Sequence, residues 1–128
     1  MDRIDIQVEI IPVPFEKISD TILAEDSSSI RKRVIEARKK QEKRFTGQNG
    51  IFCNAQMSSR QLRKYAQPEG STMQLLKNAM NTNKLSARAY DRILKVSRTI
   101  ADLDNSEKIE ACHLAEAIQY RLLDKDSW

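Results

Sequence analysis

The residues with the clearest chemical potential are cations. Between Arg31 and Arg44 lie eight basic residues, Arg31, Lys32, Arg33, Arg38, Lys39, Lys40, Lys43 and Arg44. Only two acids, Glu36 and Glu42, share the segment, which therefore carries a net charge of +6. Such a run can contact nucleic-acid phosphates without reading bases. Arg31, Lys32, Arg38, Lys39 and Lys43 are the candidate contacts. No aromatic residue is interleaved to stack on bases. The competing reading is a solvated helix face.

Thiol and imidazole chemistry is sparse. His113 is the only histidine, and Cys53 and Cys112 stand 59 positions apart. One histidine and no CxxC pair do not make a metal set. Neighbours in a helix point about 100° apart, so Cys112 and His113 are not expected to face one another. Two reduced, partly buried thiols and no metal are the expectation. The glycines are Gly47, Gly50 and Gly70, and none belongs to a GxxxxGKS/T phosphate loop. GxGxxG, GxSxG and HExxH are absent as well. The 128 residues by themselves are not expected to hydrolyse ATP or to catalyse another reaction.

Arg88 is different in kind. It falls in the first turn after Ser86, a helix-capping residue. A helix dipole disfavours a cation there by about 0.3–1 kcal/mol and favours an anion. An arginine so placed gains a role when a phosphate approaches, because its planar fork pairs with two oxygens. The competing reading is a surface arginine on a polar face shared with Arg92 and Lys95.

These residues need elements to position them. A length of 128 residues suits one domain. Forty per cent hydrophobic residues allow a core, and 31% charged residues with a mean hydropathy of −0.60 give a polar surface. Net charge is +4, from 22 basic and 18 acidic residues. No run reaches the ~20 apolar residues of a membrane span. No export signal opens the chain. A soluble cytoplasmic protein is expected.

Ile4-Asp5-Ile6-Gln7-Val8-Glu9-Ile10 alternates with period two and reads as a half-buried strand, ended by Pro12 and Pro14. No strong second strand follows, and a lone strand has no ladder partner. The strand is therefore expected to belong to a sheet upstream, and the chain to be part of a longer protein. Residues 15–26 read as a linker. A long helix is predicted over 29–45, with a thin apolar stripe of Ile30, Val34, Ala37 and Phe45 interrupted by Gln41. Gly47 and Gly50 stop it. Ser58 and Gln61 form a capping box for a short helix carrying Leu62, Tyr65 and Ala66. Pro68 is expected to open the next helix, which carries Met73, Leu76, Ala79 and Met80. Ser86 caps the most apolar helix, with Tyr90, Ile93, Leu94, Ile100 and Ala101 on one face, widened by Val96 and Leu103. A last helix over 111–122 buries Leu114, Ala115, Ile118 and Leu122. The fold class is all-α: a bundle of four to five helices preceded by one orphan β-strand.

Two strings are distinctive. Leu85 to Leu103 reads LSARAYDRILKVSRTIADL, and His113 to Arg121 reads HLAEAIQYR. Together they resemble the C-terminal domain of magnesium-chelatase-like AAA+ ATPases of the bacterial competence-associated branch. Asp2-Arg3-Ile4-Asp5 resembles the segment that closes that family's ATPase core, and Asn54-Ala55 before Met57-Ser58 also fits. The resemblance runs from about Asp2 to Arg121. Asp91 stands where the family pattern has histidine. The resemblance implies an AAA+ lid-type bundle. Residues 1–15 would be the last strand segment of the truncated core, 16–27 a linker, 28–122 the helical lid and 123–128 a tail. It implies a ring, a hexamer, in which ATP and Mg sit between subunits and the lid covers the nucleotide. Arg88 matches the sensor-2 arginine, which touches the γ-phosphate. Arg3 matches an arginine finger that reaches the neighbouring subunit's ATP; an ordinary charge at a strand start is its competing reading. The implied partners are the missing core of the same chain, identical neighbours in the ring and DNA, with no membrane. Chelatase subunits instead drive metal insertion into a porphyrin, so the shared name does not establish that activity. A freestanding nucleic-acid-binding module using residues 31–44 is the rival reading.

Overall fold

Asp26 opens the first helix, α1, Ser27–Arg44. Its carboxylate accepts the Ser29 backbone N–H at 2.8 Å, which relieves one of the orphan donors of the first turn. That hydrogen bond, with a second from the Ser29 side chain, holds the Asp26 carboxyl below its ordinary value. A computed structural model describes residue 6, residues 26–48 and residues 50–127, with side chains as far as Arg121. The strand predicted over residues 4–10, the 16–25 part of the linker and Arg3 lie outside the described residues, Ile6 excepted.

After α1 the chain turns through Gly47 and Gly50, at φ +83° and +77°. Both angles lie in the left-handed region that suits glycine. A 3-10 turn, Asn54–Gln56, follows. Helix α2 is Ser59–Tyr65. Its capping box is present: Ser58 Oγ accepts the Gln61 N–H, and Gln61 Oε1 accepts the Ser58 N–H at 2.9 Å. Helix α3 is Gly70–Asn83. Pro68 does not open it. Glu69, the extended N-cap residue, separates the proline from the helix, which starts at Gly70 with φ +57°, and Pro68 is buried.

Lys84, at φ +51°, turns the chain into α4, Ala87–Leu103. The Ser86 hydroxyl accepts the Ala89 N–H at 3.1 Å. Replacing Ser86 by alanine is expected to cost about 1 kcal/mol, read as a lower urea midpoint at unchanged m-value. Asn105, at φ +59°, ends α4, and Ser106 N–H returns to the Ala101 carbonyl at 2.8 Å. Helix α5, Ala111–Ser127, runs five residues beyond the predicted end at Leu122.

Helix α4 is central. It packs on α5, α1, α2 and the 3-10 turn, while α3 packs on α5. Phe45, Met57, Leu62, Ala66, Leu76, Ile93, Leu94, Ala101, Leu114 and Ile118 are among the core residues. Phe45 meets Tyr65 edge to face, with ring centroids 5.6 Å apart. The described residues thus form an all-α bundle of five helices, with no strand among them.

The predicted stripe of α1 is only half used. Ala37 and Phe45 are buried, but Ile30 and Val34 are 44% and 43% exposed. They overhang an open groove of about 430 Å³ with Ile100, Leu103 and Cys112 on its walls. Leu103 was expected to widen the core and is instead 42% exposed. The side chains of α1 that bond to the end of α4, Lys40 and Arg44, come from its C-terminal half.

Candidate functional site

Arg88 is the second residue of α4 and is exposed. The capped first turn presents it at the corner that Lys84 makes between α3 and α4. An exposed arginine in the first turn of a helix stands beside backbone N–H groups that favour an anion, which is anion-binding chemistry. Asp102 lies fourteen residues further along α4, or about 21 Å at 1.5 Å per residue.

That far end holds the largest polar cluster among the described residues. The Asp102 carboxylate is buried and accepts both ends of the Arg44 guanidinium, at 2.7 and 2.9 Å. Asn54 Nδ2 donates to the same carboxylate at 2.9 Å, and Arg98 Nη2 lies 3.1 Å from it. Asn54 Oδ1 accepts from Arg44 Nη1, and Asn54 N–H donates to Gln41 Oε1. Arg98, 4% exposed, also donates to the carbonyls of Ser106 and Glu107 at 2.7 and 2.9 Å. Burial pushes the Asp102 carboxyl up, but hydrogen bonds from Arg44 and Asn54, with the charges of Arg44 and Arg98, outweigh it and hold the group below its ordinary value. Burial draws Arg98 down, and the Asp102 charge only partly offsets this. The cluster fastens α1, the 3-10 turn and the α4–α5 loop to one end of α4. Its carboxylate is consumed by structure and has no lone pair left for a reacting group.

Sequence reasoning missed this cluster. Gln41 is no interruption of the α1 stripe; it is buried and carries the link to Asn54. Arg98 and Asp102 have the spacing of a common surface pair. Only the inward position of that pair, opposite Arg44, reveals its role.

Cys112 and His113 also depart from expectation. Cys112 is exposed and Cys53 half-buried. One ligand atom each from Glu110, Cys112 and His113 lies within 4.8 Å of the others, so the helix start does gather them. Both ring nitrogens of His113 are engaged, however. Nδ1 accepts the Glu110 N–H at 3.0 Å, and Nε2 lies 2.8 Å from Asp104 Oδ2. The neutral tautomer that fits carries its proton on Nε2 and donates it to Asp104. The ring thereby closes the first turn of α5, and a metal would have to break one of these bonds.

Two of the eight cations of the basic helix are tied to the end of α4, a third, Arg33, has a contact of its own, and five are exposed candidates. Arg44 is bound to Asp102, and Lys40 Nζ is bound to Asn105 Oδ1 and lies 3.5 Å from the Asp102 carbonyl. Arg31, Lys32, Arg38, Lys39 and Lys43 are exposed. They lie on α1, which Arg44 fixes to the Asp102 end of α4, so they do not form one site with Arg88. No described helix is long and apolar enough to cross a membrane.

Comparison with known proteins supplies the remaining context. A model of the magnesium chelatase, subunit ChlI C-terminal family matches residues 24–121. The chain is 38% identical over 126 residues to the uncharacterized protein YifB of Escherichia coli K12, covering 98% of the chain and 24% of that protein. It is 36% identical over 124 residues to the competence protein ComM of Haemophilus influenzae, covering 96% and 23%. Over 121 residues it is 30% identical to the uncharacterized protein Rv2897c of Mycobacterium tuberculosis H37Rv, covering 94% and 24%. The chain spans about a quarter of the length of these relatives.

Proposed function

Because the chain belongs to the magnesium chelatase ChlI C-terminal family, within the magnesium-chelatase-like AAA+ proteins, we propose that it is the helical lid of a ring-forming ATPase. In this reading the lid covers ATP bound by a phosphate-loop core elsewhere in the longer protein. ATP and its Mg supply the phosphoanhydride that is hydrolysed. This chain supplies the contact that senses it.

The observation that carries the reading is the exposed Arg88 in the capped first turn of the central helix. Its guanidinium can form charge-assisted hydrogen bonds to a terminal phosphate and lose them when that phosphate leaves. Helix α4 then acts as a lever. Its near end answers to the phosphate, and its far end is fastened to α1 by the Asp102 cluster. A packed bundle so tied moves as one body and does not bend locally. Arg3, as an arginine finger, would stabilise transition-state charge at the ATP of the adjoining subunit. DNA is the working substrate we assign to the ring, supported by the relative named a competence protein; metal insertion is the alternative.

The test is Arg88→Ala in the full-length protein. ATP turnover, followed by phosphate release, should fall at least about tenfold, the equivalent of 1.4 kcal/mol, while nucleotide still binds and thermal stability is unchanged. Arg88→Lys should restore only part of the rate, because a point charge lacks the planar fork. Undiminished turnover in Arg88→Ala would sink the sensor role. The 128-residue chain alone should release phosphate at the background rate.

A further inference from the structure

From the disposition of charge on α1, we infer that its outward face is a landing surface for the phosphate backbone of nucleic acid, contacted without regard to base sequence. This inference stands apart from the lid reading, since it requires neither ATP nor Arg88.

Charge placement is the first argument. Residues 31–44 hold eight of the chain's 22 basic residues and two of its 18 acidic ones. That segment carries +6, so the remainder of the chain carries −2. The whole positive excess thus sits on one helix.

Geometry is the second. At 100° per residue, Lys32, Lys39 and Lys43 fall within a sector of about 40°, and Arg31 and Arg38 within about 20° of one another on an adjoining sector. Ala37 and Gln41, the buried residues of α1, lie on the opposite side from the lysine row. The row is thus directed straight away from the bundle. It is about 16 Å long at 1.5 Å per residue, close to the axial rise of five nucleotides of one strand at about 3.4 Å each. None of the five cations forms an ion pair or hydrogen bond with a described residue.

Stability is the third. Lys39 and Lys43 are one turn apart, as are Lys40 and Arg44, and like charges at that spacing destabilise a helix. The fold uses Arg44 and Lys40 at its Asp102 end. Glu36 and Glu42 lie three or four positions from Lys32, Arg38 and Lys39 and offset part of the repulsion, but the segment keeps its net +6. A polyanion lying along the face relieves that repulsion. An acidic membrane surface would in addition need an apolar border that can enter lipid. The exposed Ile30 and Val34 line the groove on the far side of α1, so beside the lysine row only Ile35 is apolar.

The test measures binding of the 128-residue chain to a fluorescein-labelled 20-base-pair DNA duplex by anisotropy, from 50 to 200 mM NaCl. With five phosphate contacts, log K should fall against log salt with a slope of about −4.5. The triple variant Lys32→Gln, Lys39→Gln, Lys43→Gln should bind more weakly and flatten the slope to about −1.8. Its circular dichroism should match the native chain. A control triple, Arg60→Gln, Lys77→Gln, Lys108→Gln, removes the same charge from other exposed positions and should leave the slope near its native value. Equal losses in both triples would overturn the inference, because they would mean that net charge alone sets the affinity. So would failure of the native chain to bind at 50 mM NaCl, or binding to phosphatidylserine vesicles without binding to the duplex.

Discussion

Asp102→Ala is expected to destabilise the bundle by about 3–5 kcal/mol, the usual cost of removing one partner from a buried ion pair. Two guanidiniums face this carboxylate, and their fates differ. Arg44 retains 15% exposure of its side chain and can swing toward water. Arg98 is 4% exposed and is held by the Ser106 and Glu107 carbonyls, so its charge stays inside. Asn54 loses an acceptor at the same time. Urea unfolding followed by circular dichroism reads the loss directly. Arg98→Met combined with Asp102→Leu should recover much of it, since an apolar pair of similar volume leaves no stranded charge. If Asp102→Ala alone costs under 1 kcal/mol, the cluster is not the clamp described above.

The same carboxylate sets a pH dependence. Its folded pKa lies below the ordinary value of 3.8. Its contribution is therefore full above the unfolded value and is lost as pH falls through the lower folded value. Native stability should decline below about pH 4. Asp102→Asn should lack that part of the decline.

The second large effect is Leu114→Ala, with an expected cost of about 2–5 kcal/mol. Leu114 is 0% exposed and belongs to the core formed by α4 and α5 with Leu76 of α3. Truncation removes buried methyl groups and leaves a cavity that rigid helices fill only in part. Leu103→Ala should by contrast cost about 0.5 kcal/mol or less, because its side chain already borders the open groove. Measured side by side in urea, the two substitutions separate buried from bordering leucines. Equal costs would contradict the burial pattern.

That pair shows how far the sequence reaches. Leu103 and Leu114 are both apolar residues at helical spacing, and a one-dimensional pattern cannot rank them. Caps were legible because they are local. Ser58 and Ser86 need only residues three positions away, and each accepts the N–H expected of a cap. Pro68 misled for a complementary reason. A proline suits a helix start by its own φ, but the left-handed Gly70 two residues later moved the start.

For the functional residues the division is similar. The sequence by itself determined a bundle of four to five helices, the apolar face of α4, the surplus of cations on α1 and the place of Arg88 in a first turn. Each follows from spacings shorter than about seven residues, which helix geometry converts into faces and ends. It also carried the family, through the strings around Arg88 and His113. Tertiary structure alone decided which cations are spent. Arg44 and Arg98 look like Lys39 and Arg92 in the sequence, yet they converge on one carboxylate from 58 and four positions away. A charge becomes a clamp when its neighbours exclude water, and those neighbours come from helices far apart in the chain. On α1, Arg31, Lys32, Arg38, Lys39 and Lys43 stay exposed and outside that cluster, where a phosphate can reach them.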